Sequence, residues 1–257
     1  MRISAGVLLL VPAIAFASGP FDGTWKTRVD SMKQSGKPDT FDITQGSYHC
    51  ASCVPEIRIK ADGSDQSVTG HDYYDSVAVR IVNPTSIEII NKRAGKPAAV
   101  MTYTVSDGGA MLTAKFTDYS GAQPVSGTVT EKRVGAAPVG AHPVSGSWQT
   151  DKLLDIAEAG RAVTYSMSAD ALSMSWNGQS YEASFDGKDY PVSGDPGKTV
   201  VSLKRVGSDT IEEIDMRAGK VTDIIRSTVS GDGKTIHVVD TDPVHETRTE
   251  YILDKQP

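Results

Sequence analysis

The sequence predicts an all-β protein made of two tandem antiparallel β-barrels, each with about eight or nine short strands. Residues 62–112 recur at 186–236 with 18 identities in 51 positions and no gap, which indicates two copies of one structural unit. Apolar and polar residues alternate in short stretches such as 77–81, and this period is typical of half-buried strands. Short glycine-containing turns join these stretches, so consecutive strands form an antiparallel meander. A barrel best hides the edges of a meander, with a two-sheet sandwich as the alternative.

The start of the chain has the features of an export signal. Arg2 precedes an apolar stretch at residues 3–15, and Ala15-Phe16-Ala17 has the small-x-small form that signal peptidase recognises. We therefore expect residues 1–17 to be a cleaved signal peptide, too short to span a membrane stably. The mature protein is then expected in the periplasm or outside the cell.

A linker separates the two copies. Residues 135–143 are mostly small and include two prolines, which is typical of a short and fairly stiff connection. We expect the first barrel repeat over residues 18–138 and the second over residues 139–257.

The charge of the chain limits its partners. The sequence has 26 Lys and Arg against 32 Asp and Glu, and loss of Arg2 with the signal peptide makes the net charge −7. This acidic balance argues against nucleic acid and anionic membrane surfaces as partners.

Each copy opens with a Gly-x-Trp element, at Gly23-Thr24-Trp25 and at Gly146-Ser147-Trp148. This element resembles the signature of lipocalins and their calycin relatives, which include fatty-acid-binding proteins and avidin. The whole chain is also similar to secreted bacterial proteins that carry two such units. The resemblance implies that Trp25 and Trp148 close the barrel floors. It also implies that a basic residue of the last strand packs on the ring, with Arg133 expected on Trp25.

The two cysteines, Cys50 and Cys53, lie three residues apart between predicted strands. Val54 follows the second cysteine, which excludes c-type haem attachment because that motif requires His there. In an exported protein we expect a disulfide bond across the turn. Metal binding with His49 and His71, or a redox role, are the alternatives.

Tyr73 and Tyr74 lie in a loop at 71–75 that also contains a histidine and two aspartates. As ligand-contacting residues they would form the rim of a cavity, because tyrosine combines a rigid apolar ring with a polar end. As structural residues they would begin the next strand and cap the core.

Arg205 and Glu213 occupy positions where the first copy has Ile81 and Ile89. Buried charges need partners, so the two side chains could face each other inside the second barrel, or Arg205 could meet an anionic ligand. The alternative is that both lie near strand ends and reach solvent.

No catalytic motif is recognisable in the sequence, and no cofactor or metal is implied, although an enzyme is not excluded. We expect a non-enzymatic binding protein for a small, mostly apolar molecule. One alternative is a structural or interaction module of the cell envelope that uses the barrel surface. The second alternative is a metal or redox role through Cys50 and Cys53.

Overall fold

The computed structural model describes residues 19–106 and 108–257, so the predicted signal peptide at 1–17 lies outside the described residues. The described chain folds into two nearly closed antiparallel β-barrels, which confirms the predicted fold class. We number the strands in chain order from β1 to β21. Two single-turn 3-10 helices, Val29–Ser31 and Glu158–Gly160, interrupt them.

Barrel I has ten strands, and barrel II has ten around its wall with an eleventh paired outside that path. In spatial order, barrel I contains β5 (Ile57–Lys60), β4 (Ser47–Cys50), β3 (Asp39–Thr44), β12 (Gly146–Ile156), β11 (Val125–Val134), β10 (Met111–Asp118), β9 (Lys96–Val105), β8 (Ser86–Arg93), β7 (Ser76–Asn83) and β6 (Gln66–Ser67). Barrel II contains β15 (Gln179–Ser184), β14 (Ala171–Trp176), β13 (Ala162–Met167), β1 (Gly23–Thr27), β21 (Thr247–Lys255), β20 (Thr235–Asp242), β19 (Lys220–Val229), β18 (Thr210–Arg217), β17 (Val200–Arg205) and β16 (Tyr190–Pro191), while β2 (Lys33–Gly36) pairs with β21.

The two barrels exchange their first strands. β1, from the start of the chain, lies in barrel II between β13 and β21, and β12 lies in barrel I between β3 and β11. The chain order explains this exchange, since β12 follows β11 directly after the linker and pairs with it. The equivalent place beside β21 is then filled by β1. Each barrel therefore differs in its first strand from the predicted segments 18–138 and 139–257.

Short contacts close most of the gap in each barrel. In barrel II, Ser180 and Ser193 exchange two backbone hydrogen bonds of 3.0 and 2.7 Å. In barrel I, the side-chain amide of Gln66 bonds both backbone polar groups of Lys60, at 2.8 and 2.9 Å. These bonds satisfy backbone groups that an open sheet edge would leave unpaired.

The interior of each barrel is filled largely by side chains from the inward-facing positions of the strands, as the period-2 alternation predicts. The largest fully buried side chains of barrel I are Val77, Val79, Ile87, Leu112, Val144 and Trp148, and those of barrel II are Phe21, Trp25, Leu172, Leu203, Ile211 and Ile236. Within the described residues, no helix is long and apolar enough to cross a membrane.

Candidate functional site

The tryptophan of each exchanged strand is buried in the core of its barrel, and its role in closing the barrel floor stays a prediction. The indole N–H of Trp25 donates to the carbonyl of Phe21 at 2.7 Å, and that of Trp148 donates to the carbonyl of Val144 at 2.8 Å. Both rings are fully buried, so these bonds satisfy the one polar atom of each indole.

A basic side chain covers each of these rings. The guanidinium carbon of Arg133 lies 4.0 Å from the ring centroid of Trp148, and the Nζ of Lys255 lies 5.0 Å from that of Trp25. The expectation that Arg133 packs on Trp25 is therefore wrong. The strand exchange is the physical reason, because it brings Trp148 rather than Trp25 to the strand that carries Arg133.

Arg133 also connects neighbouring chain segments of barrel I through hydrogen bonds. Its guanidinium donates to the carbonyls of Gly109, Ser145 and Pro143 at 2.5, 2.6 and 2.7 Å. Burial lowers the pKa of Arg133 from its ordinary value. The residue lies outside the cavities described below, and its role in closing the barrel stays a prediction.

Cys50 and Cys53 form a disulfide bond with an S–S distance of 2.07 Å, as the sequence predicts. The bond joins the end of β4 to the following loop, and both residues line the cavity of barrel I described below. In this oxidised state neither sulfur is a thiolate, the form that binds metals or attacks disulfides. Within the described residues, no group of three or more His, Cys, Asp or Glu is arranged to hold a metal ion.

A cleft of about 510 Å³ lies between the two barrels, and we call it the inter-barrel cleft. Aromatic rings from both barrels line it: Tyr73, Tyr74 and Phe116 from barrel I and Trp176 from barrel II. Small residues such as Ala99 leave room between the rings. The remaining lining residues are Asn91, Ala98, Asp118, Ser120, Gly121, Val125, Ile156, Ala159, Gly160, Ala162, Asn177 and Gln179.

Direct contacts between the barrels hold one side of this cleft. The carbonyl of Asn177 accepts the backbone N–H of Ala122 at 2.8 Å, and its side-chain amide makes two bonds of 3.0 and 2.9 Å with the backbone of Gln123. Asn177 lies in the tight turn between β14 and β15 with φ +37°, a conformation that asparagine tolerates better than most residues. The turn of barrel II is thus bonded to a loop of barrel I.

Reciprocal arginine contacts hold the barrels together beside Tyr73. Arg93 of barrel I donates to the carbonyl of Pro196 in barrel II at 2.6 Å. Arg217 of barrel II lies over the ring of Tyr73, with 5.1 Å between the guanidinium carbon and the ring centroid, and its Nε donates to the hydroxyl of Thr199 at 2.9 Å. Both arginines belong to the Arg-Ala-Gly-Lys turns that are identical in the two copies.

Tyr74 lies where three cavities meet, since it lines the inter-barrel cleft, a cavity of barrel I and a pocket of about 220 Å³ beside His71. Its hydroxyl is 3.0 Å from the Nδ1 of His71, and the two rings stack with centroids 4.6 Å apart. Burial raises the pKa of Tyr74 to about 12. Tyr73 and Tyr74 are thus both cavity-lining residues, and their role in binding a ligand stays a prediction.

The interior of barrel I contains a cavity of about 170 Å³, which we call the barrel I cavity. Two carboxyl groups line it, those of Asp39 and Glu131. Burial, together with the charge of Asp39, raises the pKa of Glu131 to about 7. Burial also raises the pKa of Asp39, against the opposing effect of His245.

Barrel II carries a group of acidic residues, Glu213, Asp215, Asp223 and Asp240, whose pKa values burial raises. Glu213 is buried and accepts a hydrogen bond from the hydroxyl of Tyr181 at 2.6 Å. Burial and the charge of Glu213 raise the pKa of Asp215 to about 9, and burial raises the pKa of Glu213 itself. Burial and neighbouring carboxylates raise the pKa of Asp240 to about 7.

Arg205 and Glu213 do not face each other inside barrel II. The alternative, that both side chains reach solvent, holds for Arg205 but not for Glu213. Arg205 is the last residue of β17 and is exposed, and it donates to the carbonyls of Ser168 and Ala169 at 3.2 Å each. Its guanidinium carbon lies 4.7 Å from the ring centroid of Phe185. Glu213 is buried two positions further along the partner strand and bonds to tyrosine rather than to arginine.

The carboxyl groups of the barrel I cavity were missed from the sequence. Asp39 is the residue of the neighbouring strand that pairs with Trp148. The residue that pairs with Trp25 in the same way in barrel II is Val163. Glu131 lies two positions before Arg133, which covers Trp148. In barrel II, the residue two positions before Lys255, which covers Trp25, is Leu253. A comparison of the copies before residue 62 would have shown the replacement at Asp39, and one beyond residue 112 the replacement at Glu131, each of an aliphatic residue by an acid.

The fold and the cavities define the class of the protein: a tandem antiparallel β-barrel protein with an apolar cleft between its barrels. Comparison with protein-family models gave no match, and comparison with curated proteins found no similar sequence.

Proposed function

We propose that the protein is an exported, lipocalin-like, non-enzymatic binding protein that holds a small, mostly apolar ligand in the inter-barrel cleft. The observation that supports this proposal is the cleft itself, about 510 Å³ in volume and lined mainly by aromatic and small apolar residues. Sites for small molecules in proteins commonly enclose about 300–1,000 Å³ and combine apolar walls with a few polar groups.

The polar groups of the cleft are few and lie among apolar walls. Asn91, Asp118 and Gln179 supply amide and carboxylate groups that would fix the orientation of a bound molecule. Tyr73, Phe116 and Trp176 supply most of the ring surface. Burial of rings against an apolar ligand would provide the main favourable contribution to the binding free energy.

The proposed site differs from the one that the lipocalin resemblance implies. In lipocalins the ligand enters the barrel, whereas here large apolar side chains fill most of both barrel interiors. The space between the barrels offers three times the volume of the barrel I cavity, about 510 against 170 Å³. A mostly apolar ligand of more than a few atoms is therefore assigned to the inter-barrel cleft.

A direct test is to identify what accompanies the protein. Protein purified without detergent from an exporting bacterium would be extracted with organic solvent, and the extract analysed by mass spectrometry. We expect a stoichiometric small molecule in the wild-type extract and its loss in an Ala99→Trp variant, because the indole would fill the cleft. An Ala137→Trp variant, with the same change at an exposed linker position, is the matched control.

Binding can also be measured with a known probe. The neutral dye N-phenyl-1-naphthylamine should bind saturably to wild type and to Ala137→Trp, with at least about tenfold weaker binding to Ala99→Trp. If neither a copurifying molecule nor saturable dye binding is found, the proposed function fails. The structural or interaction module of the envelope then becomes the better explanation.

Export is part of the proposal and has its own measurement. When the full chain is produced in a bacterium, the intact mass of the protein released from the periplasm should correspond to a chain that begins at Ser18. A mass that retains residues 1–17, or accumulation only in the cytoplasm, would contradict export. The disulfide between Cys50 and Cys53 supports an oxidising compartment.

A further inference from the structure

The barrel I cavity has a chemistry that the inter-barrel cleft lacks. Two acidic side chains line it, Asp39 and Glu131, and among its described lining residues only His245 can carry a positive charge. His245 comes from barrel II, and its Nδ1 lies 2.6 Å from a carboxylate oxygen of Asp242. The cavity therefore places two carboxyl groups among aromatic and aliphatic side chains without a cation dedicated to them.

Glu131 is the more informative of the two acids. Its side chain lines the cavity while only 7% of the residue is exposed. Within the described residues, its Oε2 atom has no hydrogen-bond partner. Buried polar atoms almost always have a partner, and each exception requires an explanation. A bound group that donates to the carboxyl group of Glu131 would give it a partner that the fold does not supply.

The barrel fold itself does not require these acids. Barrel II has Leu253 and Val163 at the positions that Glu131 and Asp39 occupy in barrel I. An aliphatic residue at such a position would bury apolar surface without the cost of a buried carboxyl group. The acids therefore cost stability at positions where an aliphatic residue fits the same architecture.

Aromatic rings form much of the remaining wall of the cavity. Phe41 lies between two tyrosines, with ring centroids 6.1 Å from Tyr48 and 5.4 Å from Tyr103, and Tyr74 lines the cavity as well. Aromatic faces attract cations, and an aromatic cage is a recurring way to bind an ammonium group. The walls and the acids thus favour the same kind of ligand.

We propose that the barrel I cavity binds a small alkylammonium ion, whose N–H groups donate to Glu131 and Asp39 and whose alkyl part contacts the aromatic rings. The cavity volume of about 170 Å³ equals the liquid volume of roughly five or six water molecules, which suits an ion of a few heavy atoms. This site adjoins the inter-barrel cleft, with which it shares Tyr74 and Asn91, and does not depend on the function proposed for the cleft.

Propylammonium is a suitable probe, with 1-propanol as a neutral molecule of the same shape. Met101 lines the cavity, so protein labelled with ¹³C at its methionine methyl groups reports binding at this site by NMR. At pH 8 we expect saturable shifts of the Met101 signal with propylammonium, and affinity about tenfold or more above that for 1-propanol. Equal responses to the two molecules, or no saturable response, would overturn the proposal.

Variants separate the charge of Glu131 from general effects. Glu131→Gln keeps the shape of the side chain and should weaken propylammonium about tenfold while leaving 1-propanol unchanged. Glu182→Gln removes an equal charge from an exposed position of β15 and should leave both affinities unchanged. Full affinity in Glu131→Gln would mean that the carboxylate meets ordered water rather than an ammonium group, and the proposal would fail. The far-ultraviolet circular dichroism of each variant verifies that it is folded. The comparison of propylammonium with 1-propanol on the wild-type protein tests the proposal independently of the variants.

Discussion

Arg133 lies over the ring of Trp148, with its guanidinium carbon 4.0 Å from the ring centroid, although the two residues belong to different copies of the sequence repeat. Lys255 and Trp25 form the corresponding pair in barrel II, at 5.0 Å. Each pair joins the last strand of one barrel to the exchanged first strand. The two barrels are therefore bound to each other by the path of the chain as well as by surface contacts.

The strand exchange predicts which barrel each tryptophan stabilises. Trp25→Ala should lower the free energy of unfolding by about 3–5 kcal/mol, because a large fully buried ring is removed. Hydrogen exchange measured by mass spectrometry should show lost protection chiefly in residues 162–255. Trp148→Ala is the matched variant, and its losses should lie chiefly in residues 39–134. Losses in residues 39–134 for Trp25→Ala would contradict the exchange.

The sequence was sufficient for the architecture because strands and turns have local signals. The alternation of residues and the two copies of Arg-Ala-Gly-Lys predict hairpins, and the structure has β8 and β9 joined at Ala94 and Gly95, with φ +49° and +76°. The partner of β1 has no local signal, since the same strand fits beside the last strand of either barrel. The long-range contact of Arg93 with Pro196 is likewise invisible in a turn motif.

The candidate sites were predicted less completely, for a related reason. Tyr73 and Tyr74 do line cavities, but the inter-barrel cleft depends on how two barrels pack, which no alternation pattern specifies. Glu131 was missed because the copies match with an offset of 124 over residues 62–112, whereas Arg133 and Lys255 are 122 residues apart. With the offset of 124, Glu131 is aligned with Lys255 and not with Leu253, so the replacement of leucine by glutamate was not seen.

The disulfide should contribute modestly to stability, and only to barrel I. Cys50 and Cys53 are three positions apart, and closing so small a loop is worth about 2 kcal/mol in the chain-entropy model. Reduction, or replacement of both cysteines by serine, should lower the free energy of unfolding by about that amount in urea titrations. Hydrogen-exchange protection in residues 162–255 should stay unchanged, and loss of protection there would show that the bond acts beyond its own barrel.

Glu131 should make the protein less stable as the pH rises. Burial raises its pKa in the folded state to about 7 from an ordinary value of 4.5, so the folded chain binds the proton more tightly than the unfolded chain. The contribution of this group is fully present below pH 4.5 and is lost as the pH rises through about 7. The other titratable groups that line the same cavity are Asp39, Tyr48, Tyr74, Tyr103 and His245.

Replacement of Glu131 by glutamine tests this pH dependence of the stability. Relative to wild type, Glu131→Gln should gain about 3 kcal/mol in the free energy of unfolding at pH 8 and little at pH 4, from the shift in pKa. Urea titrations at the two pH values test this difference. Glu182→Gln, at an exposed position, should show no such dependence. A gain for Glu131→Gln that is equal at both pH values would indicate a packing effect instead.

The acidic pair of barrel II should give a second and more alkaline dependence. The pKa of Asp215 is raised to about 9 by burial and by Glu213, so its stabilising contribution is lost as the pH rises from about 4 towards 9. Asp215→Asn should therefore be more stable than wild type by at least about 2 kcal/mol at pH 9, with a smaller gain at pH 5. Thermal unfolding followed by circular dichroism at both pH values measures this difference. A gain in stability confined to pH 5 would contradict a raised pKa of Asp215 in the folded state.

Two glycines in similar turns isolate the contact that frames the inter-barrel cleft. Gly178 and Gly219 both have positive φ, +80° and +76°, so alanine at either position costs about 1–2 kcal/mol of backbone strain. A Cβ atom at Gly178 would lie 2.4 Å from the Cβ of Ala122 in the other barrel, whereas at Gly219 nothing lies within 4 Å. Gly178→Ala should therefore cost a further 1–3 kcal/mol or so from overpacking.

The same pair of variants connects stability to binding. Because the extra methyl group of Gly178→Ala pushes apart the turn of barrel II and the loop of barrel I, N-phenyl-1-naphthylamine should bind more weakly to it. Gly219→Ala should keep the affinity of wild type, since its strain stays within one turn. Equal dye affinities in both variants would mean that the contact between Gly178 and Ala122 does not shape the cleft. Dye titration under native conditions and urea unfolding of both variants together separate the two effects.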